Sequence, residues 1–289
     1  MQLGIGTAQF GLDYGISNQK GQTGEPEVEK ILDFSSQHNI SLLDTSPGYG
    51  NSEKVLGKYF KDTFKIVTKL PYIPDSLSKE QTEAFLESEL EKSLNNLGTS
   101  SLRGLLIHNA SQLKIPQTNE ILKFLSKKKD EGLVEKIGIS VYNKEDIDLA
   151  CKLFSPEIVQ APINILDQRL VLDGSLKKLK DKNCEIHARS IFLQGLLLLN
   201  KTPDKLLEHD VFLSSFRKWC EDKGMSALES CLNFIKGVKE CDYVICGVES
   251  SAQLEQLHTL YTSTTALSSS EFRDISCDEP RLLDPSSWN

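Results

Sequence analysis

Three short runs decide the architecture: Leu42-Leu43-Asp44, Ile66-Val67-Thr68-Lys69 and Leu105-Leu106-Ile107-His108. Each is an apolar stretch of strand length that finishes on a polar or charged residue. A parallel strand with both faces covered by helices is apolar throughout, so a polar last position marks the end that leaves the core. Ile137-Gly138-Ile139-Ser140 and Ile158-Val159-Gln160 repeat the pattern. In a barrel of parallel strands such ends converge on one rim, and that rim supplies the catalytic groups.

Working outward, strands are expected over 3–8, 41–45, 65–69, 102–108, 136–140, 157–160, 185–190 and 243–246. Between them lie helical patterns. Residues 27–38 carry Val28, Ile31, Leu32 and Ser35 on one face, and 79–97 carry Phe85, Leu86, Leu90 and Leu94 at helical spacing. Further helices are expected over 119–129, 144–153, 174–182, 211–223, 227–236 and 252–261, with Asn143 as an N-cap and Gly132 as a stop. Eight β/α repeats predict an α/β protein, a (β/α)8 TIM barrel of parallel strands over residues 1–262. Residues 263–289, with Ser268-Ser269-Ser270 and two prolines, are expected as a tail packed on or near it. The competing fold is an open doubly wound sheet, but Gly4-Ile5-Gly6-Thr7-Ala8-Gln9 has a G-x-G without the third glycine of that fold's fingerprint.

A chain of 289 residues can bury a sizeable core. Lysine and arginine number 33 against 41 aspartates and glutamates, and a net charge of −8 argues against nucleic acid as a partner. No apolar run approaches a membrane span, and the N-terminal stretch lacks the basic and apolar regions of a signal peptide. The seven cysteines are scattered without a C-x-x-C pair, so reduced thiols in a cytoplasmic protein are expected, with no metal site. A monomer or weak homo-oligomer is expected.

The segment Leu43-Asp44-Thr45-Ser46-Pro47-Gly48-Tyr49-Gly50-Asn51-Ser52-Glu53 resembles the D-T-A-x-x-Y-G-N-E block of the aldo-keto reductase superfamily, and Lys69 and His108 follow at the next two strand ends. The likeness runs from Gly4-Ile5-Gly6-Thr7 to Cys246-Gly247-Val248-Glu249-Ser250. The opening Gly6-Thr7-Ala8-Gln9-Phe10-Gly11 and the closing Asp284-Pro285 resemble a bacterial branch of sugar and polysaccharide-pathway reductases. The resemblance implies a catalytic tetrad of Asp44, Tyr49, Lys69 and His108. Carbonyl reduction delivers a hydride to carbon and a proton to oxygen. Tyr49 would be the general acid, Lys69 would lower its pKa, Asp44 would hold Lys69, and His108 would orient the carbonyl. No side chain supplies a hydride, so a nicotinamide must.

The resemblance also implies cofactor contacts at Gly6, Thr7, Ser140, Gln160, Ser190, Gly195, Gly247, Ser250, Ser251 and Gln253. Ser140 and Gln160 match the carboxamide-holding residues, whereas Val141 stands where the family has an asparagine. Backbone N–H groups ahead of the helix over 252–261 would hold a phosphate. Gly247 and Gln253 stand where NADPH-gripping members carry a lysine and an arginine, and Leu257 where they carry an adenine-contacting asparagine. Family habit favours NADP(H), by a small margin, with NAD(H) an alternative. Phe10, Tyr14, Tyr72, Asn109 and Phe192 are candidate walls for a small-molecule carbonyl substrate, a sugar or small polar aldehyde. The alternatives are a nicotinamide-binding regulatory subunit with little catalysis and a barrel lyase using Lys69 as a Schiff base.

Overall fold

The computed structural model of the protein describes residues 1–59 and 63–288. Eight parallel strands close into a barrel in sequence order: β1 (Gln2–Gly6), β2 (Leu42–Asp44), β3 (Lys65–Lys69), β4 (Leu102–Ile107), β5 (Val134–Ser140), β6 (Ile158–Pro162), β7 (Glu185–Arg189) and β8 (Tyr243–Gly247). This is the (β/α)8 arrangement, and all eight expected strands are present. β1 is shorter than the expected 3–8, because the chain turns into a helix at Ala8–Gly11. That turn swings Phe10 into the core, where it is fully buried, so Phe10 is not a wall of any site. The eight expected helices are present within two residues at each end. Beyond them come the short helices Ala8–Gly11, Arg169–Leu172 and Pro280–Leu283 and a longer one, Ser52–Tyr59, between β2 and β3.

Alternation along the strands builds the barrel in layers. Leu42, Val67, Leu106, Ile158, Tyr243 and Ile245 form an apolar cluster separate from the larger core between sheet and helices. Two residues further along the same strands come Asp44, Lys69, His108 and Gln160, which carries the polar ends onto the upper rim. The register sets their heights: Asp44 pairs with Gly6 and Val67, Lys69 with Leu106, and Ser140 with Gln160.

The lower rim holds a charged cluster. Glu185 accepts from Arg103 Nη2 at 2.6 Å, Lys136 Nζ at 2.5 Å and His187 Nε2 at 2.8 Å. His187 is fully buried with its ring against Tyr243, and its Nδ1 has no partner among the described residues. The neighbouring cations hold the Glu185 carboxyl down at about 2 against the cost of burial. A carboxylate whose folded pKa is depressed contributes stability above the ordinary range, lost as pH falls towards the folded value. Glu185→Ala is therefore expected to cost about 3 kcal/mol at pH 7, by leaving Lys136 without its carboxylate and Arg103 with only the more exposed Glu135 at 3.4 Å. Thermal unfolding against pH checks this: the gap between wild type and variant should shrink between about pH 4.5 and 2.

The C-terminal tail returns over the helices. Phe272 is fully buried between Trp219 and Phe234, Gln168 Nε2 donates to its carbonyl at 2.8 Å, and Cys277 N–H bonds Leu166 O at 2.8 Å. Among the described residues no helix is long and apolar enough to cross a membrane. No group of metal-ligating side chains occurs there, and every cysteine is free.

Candidate active site

On the upper rim Lys69 is buried to 1% exposure. Its ammonium donates to Asp44 Oδ1 at 2.8 Å, Asp44 Oδ2 at 2.9 Å and the Thr45 carbonyl at 2.9 Å. Asp44 Oδ1 also accepts from Gln160 Nε2 at 2.7 Å, which ties β6 to β2. Burial pulls the Lys69 ammonium down, but Asp44 and Tyr49 outweigh it and hold it above its ordinary value. Lys69 is thus a fixed cation beneath the floor of the site.

Tyr49 sits on the loop after β2, and its position is over-determined. Thr7 N–H and Oγ1 both donate to Asp44 O, at 3.0 and 2.9 Å, and Tyr49 N–H bonds Ser46 O at 2.9 Å. Gly50 follows at φ +59, and a side chain there would lie 2.3 Å from Gly11 O. Only glycine meets both demands. The Tyr49 ring is stacked by the Lys69 ammonium, 5.1 Å from its centroid, and meets the His108 ring edge-on at 6.0 Å. Burial pushes the phenol up and Lys69 pulls it down, with a net shift upward. The sequence reading had the ammonium dominating; desolvation outweighs it because the ring lies in a low-dielectric wall.

His108 follows β4. Burial and the Lys69 charge bring its imidazole down to about 4. Its Nδ1 lies 3.3 Å from Ser46 Oγ, and that same oxygen accepts Gly48 N–H at 3.1 Å. Ser46, fully buried, is a residue sequence reading passed over. Its signal was present as the polar residue beside Asp44 and Thr45 in the motif itself.

A cavity of about 690 Å³ opens over this cluster. Asp44, Tyr49 and His108 line it, as do Gly6, Thr7, Ser140, Gln160, Ser190, Gly195, Gly247 and Gln253. Lys69 lies behind the wall. The Ser140 hydroxyl has no partner among the described residues, whereas Thr7 Oγ1 is committed to Asp44 O. Ser250 and Ser251 are not on the wall: Ser250 Oγ caps Gln253 N–H at 3.3 Å, and Ser251 donates to Glu27. Tyr14, Tyr72, Asn109 and Phe192 line the cavity, with Tyr72 two-thirds exposed. Arg189 is the sole lysine or arginine on the described wall. Its guanidinium lies 4.4 Å from the Tyr142 ring and donates to Val141 O at 3.2 Å. The loop after it is unusual: Ser190, Leu193, Gln194 and Gly195 all have φ between +48 and +87, a conformation side-chain-bearing residues adopt at a cost.

The Aldo/keto reductase family model matches residues 2–277. Among curated proteins, D-arabinose 1-dehydrogenase of Saccharomyces cerevisiae is 31% identical over 53% of this chain, a match spanning 48% of that protein. L-galactose dehydrogenase of Arabidopsis thaliana is 25% identical over 82% of this chain and 78% of its own length. Among solved structures, an aldo-keto reductase of Bacillus halodurans superposes with a TM-score of 0.75 at 19% identity, over 95% of this chain and 90% of that one. The glycerol dehydrogenase of Gluconobacter oxydans superposes with a TM-score of 0.71 at 19% identity, over 94% and 89%. With the match across nearly the whole chain and the barrel in place, the chain belongs to the Aldo/keto reductase family.

Proposed function

We propose that the protein is a nicotinamide-dependent carbonyl reductase, acting on an aldehyde or ketone of a sugar or small polar compound. The observation that carries this reading is the juxtaposition at one cavity wall of a phenol, a neutral imidazole and a buried ammonium locked by Asp44. The cavity suits a nicotinamide dinucleotide, since Ser140 offers an unpartnered hydroxyl and the glycines Gly6, Gly195 and Gly247 admit close backbone approach. When bound, that cofactor supplies the hydride.

The chain's own residues handle the proton and the carbonyl. Tyr49, its phenol protonated at neutral pH, donates to the carbonyl oxygen as charge develops there. An alkoxide is a far stronger base than a tyrosinate, so transfer runs downhill despite the raised phenol. Lys69 stabilises the tyrosinate left behind, at no cost of reorganisation. Ser46 Oγ, which accepts Gly48 N–H, keeps its own hydrogen free to donate to His108 Nδ1. That leaves the His108 proton on Nε2, where it can donate to the substrate oxygen.

Arg189, Tyr14, Tyr72 and Asn109 give the wall a mix of hydrogen-bonding and aromatic groups, which suits a polyhydroxylated substrate. The two curated relatives are named for the sugars D-arabinose and L-galactose, which supports the same class. A Schiff-base lyase is disfavoured, because Lys69 is charged, held by three acceptors and walled off from the cavity. Titration with a reduced dinucleotide should quench protein fluorescence at micromolar concentrations, and a panel of sugar aldehydes should then oxidise the bound cofactor. Absence of both signals would refute the reading.

A further inference from the structure

The cavity has two ends. One is the tetrad with Tyr72 and Asn109; the other is formed by Val248, Glu249, Gln253, Gln256 and Leu257. With the reacting ring at the tetrad, the adenosine end of a dinucleotide must run to the second. The helix Ser251–Ser263 starts there, and its donors are already spoken for. Ser251 N–H and Oγ both bond Glu27 Oε1 at 2.7 Å, Gln253 N–H goes to Ser250 Oγ at 3.3 Å, and Glu249 N–H goes to Gln253 Oε1 at 2.7 Å. A protein carboxylate therefore occupies the helix N-terminus where an anion would bind. Glu249 lines the cavity beside it, and its carboxylate has no ion-pair partner among the described residues. Among the described residues no lysine or arginine lines this end. The neighbouring cation is Lys30, 3.3 Å from Glu27 Oε2 and two-thirds exposed, so it is already engaged and well solvated.

We propose that Glu27 and Glu249 make this end of the cavity select a dinucleotide without a 2'-phosphate, so that the protein prefers NAD(H) over NADP(H). The proposal rests on the nicotinamide reading above, and it reverses the modest NADP(H) preference that family habit implies. A 2'-phosphate would bring a dianion beside two carboxylates with its helix donors taken, and like-charge juxtaposition is an effective device for rejecting a partner. A ribose 2'-hydroxyl carries no such charge and can donate a hydrogen bond to a carboxylate.

The test is a pair of equilibrium fluorescence titrations, NADH and NADPH, on wild type, Glu27→Gln and Glu249→Gln. The Glu27→Gln side chain keeps an oxygen for Ser251, so the helix cap survives. Wild type should bind NADH about tenfold tighter or more. Each variant should tighten NADPH and change NADH by less, and in the weaker direction, since the Gln amide oxygen still accepts the 2'-hydroxyl. Added salt should narrow the wild-type preference. Equal or tighter NADPH binding by wild type, or variants that move both ligands alike, would overturn the proposal while leaving the reductase reading intact. Failure of wild type to bind either dinucleotide would overturn both.

Discussion

Lys69→Met is expected to abolish carbonyl reduction, and Asp44→Asn to damage it less, with the double variant far from additive. The geometry dictates this pattern. The ammonium and carboxylate exchange two bonds of 2.8 and 2.9 Å with both side chains nearly excluded from water. Removing either partner strands the other charge in the dry upper layer of the barrel, which costs about 3–5 kcal/mol of stability. Lys69→Met leaves Asp44 with only Gln160 Nε2, and Asp44→Asn leaves the ammonium with neutral acceptors, among them Thr45 O. The double variant removes both charges at once, so its stability should recover towards wild type although each single change lowers it. In activity it should resemble Lys69→Met, because residues acting as a unit fail together. Thermal unfolding and single-turnover reduction on the four proteins check both statements. Strict additivity in log rate and in stability would show two independent residues.

The barrel was legible because its physics is local. Each strand carries its own alternation, and the change from apolar to polar at the last inward position, as in Val67 to Lys69, is visible in a few residues. The helix Ser52–Tyr59 was not legible, and Gly57 explains why. That glycine interrupts a short helical pattern, yet a side chain there would meet Asn96 O at 2.0 Å. It serves close packing against the helix Lys79–Leu97 rather than a turn. Such a reason lies in the partner helix, where no reading of 52–59 alone can find it.

The site divides in the same way. Asp44, Lys69 and His108 stand out as chemical types at strand ends and Tyr49 as the aromatic between two glycines in the loop after β2, and the structure places all four within one cluster. Their roles stay part of the proposal. The Glu27 contact with Ser251 spans 224 positions of sequence, and Glu27 reads there only as an acidic residue in the first turn of an amphipathic helix. The lower cluster is equally non-local, joining Arg103, Lys136, Glu185 and His187 from three strands that each look ordinary on their own. Phe10 erred for a different reason. As an aromatic residue just past the first strand it suits a cavity wall, but the helical turn Ala8–Gly11 carries it into the core instead.

Tyr49→Phe isolates the proton. The substitution keeps the ring that lies 5.1 Å from the Lys69 ammonium and packs edge-on against His108, so the cavity wall and dinucleotide binding should be nearly unchanged. What goes is the O–H. Loss of a positioned general acid typically costs 100-fold to 10,000-fold, and kcat for aldehyde reduction is expected to fall by about 100-fold or more. The pH dependence sharpens the assignment. His108, at about 4, is neutral throughout the physiological range and becomes charged only as pH drops towards that value. The Tyr49 phenol, raised above its ordinary value, stays protonated at neutral pH and loses its proton only in strong base. Single-turnover reduction by wild type should therefore be level from about pH 5 to about 10, the ordinary phenol value, and decline on either side, the alkaline limb belonging to the phenol. In Tyr49→Phe the slow residual reaction should lack that alkaline limb. A variant that turns over at the wild-type rate, or one that keeps the limb unchanged, would assign the proton to another group.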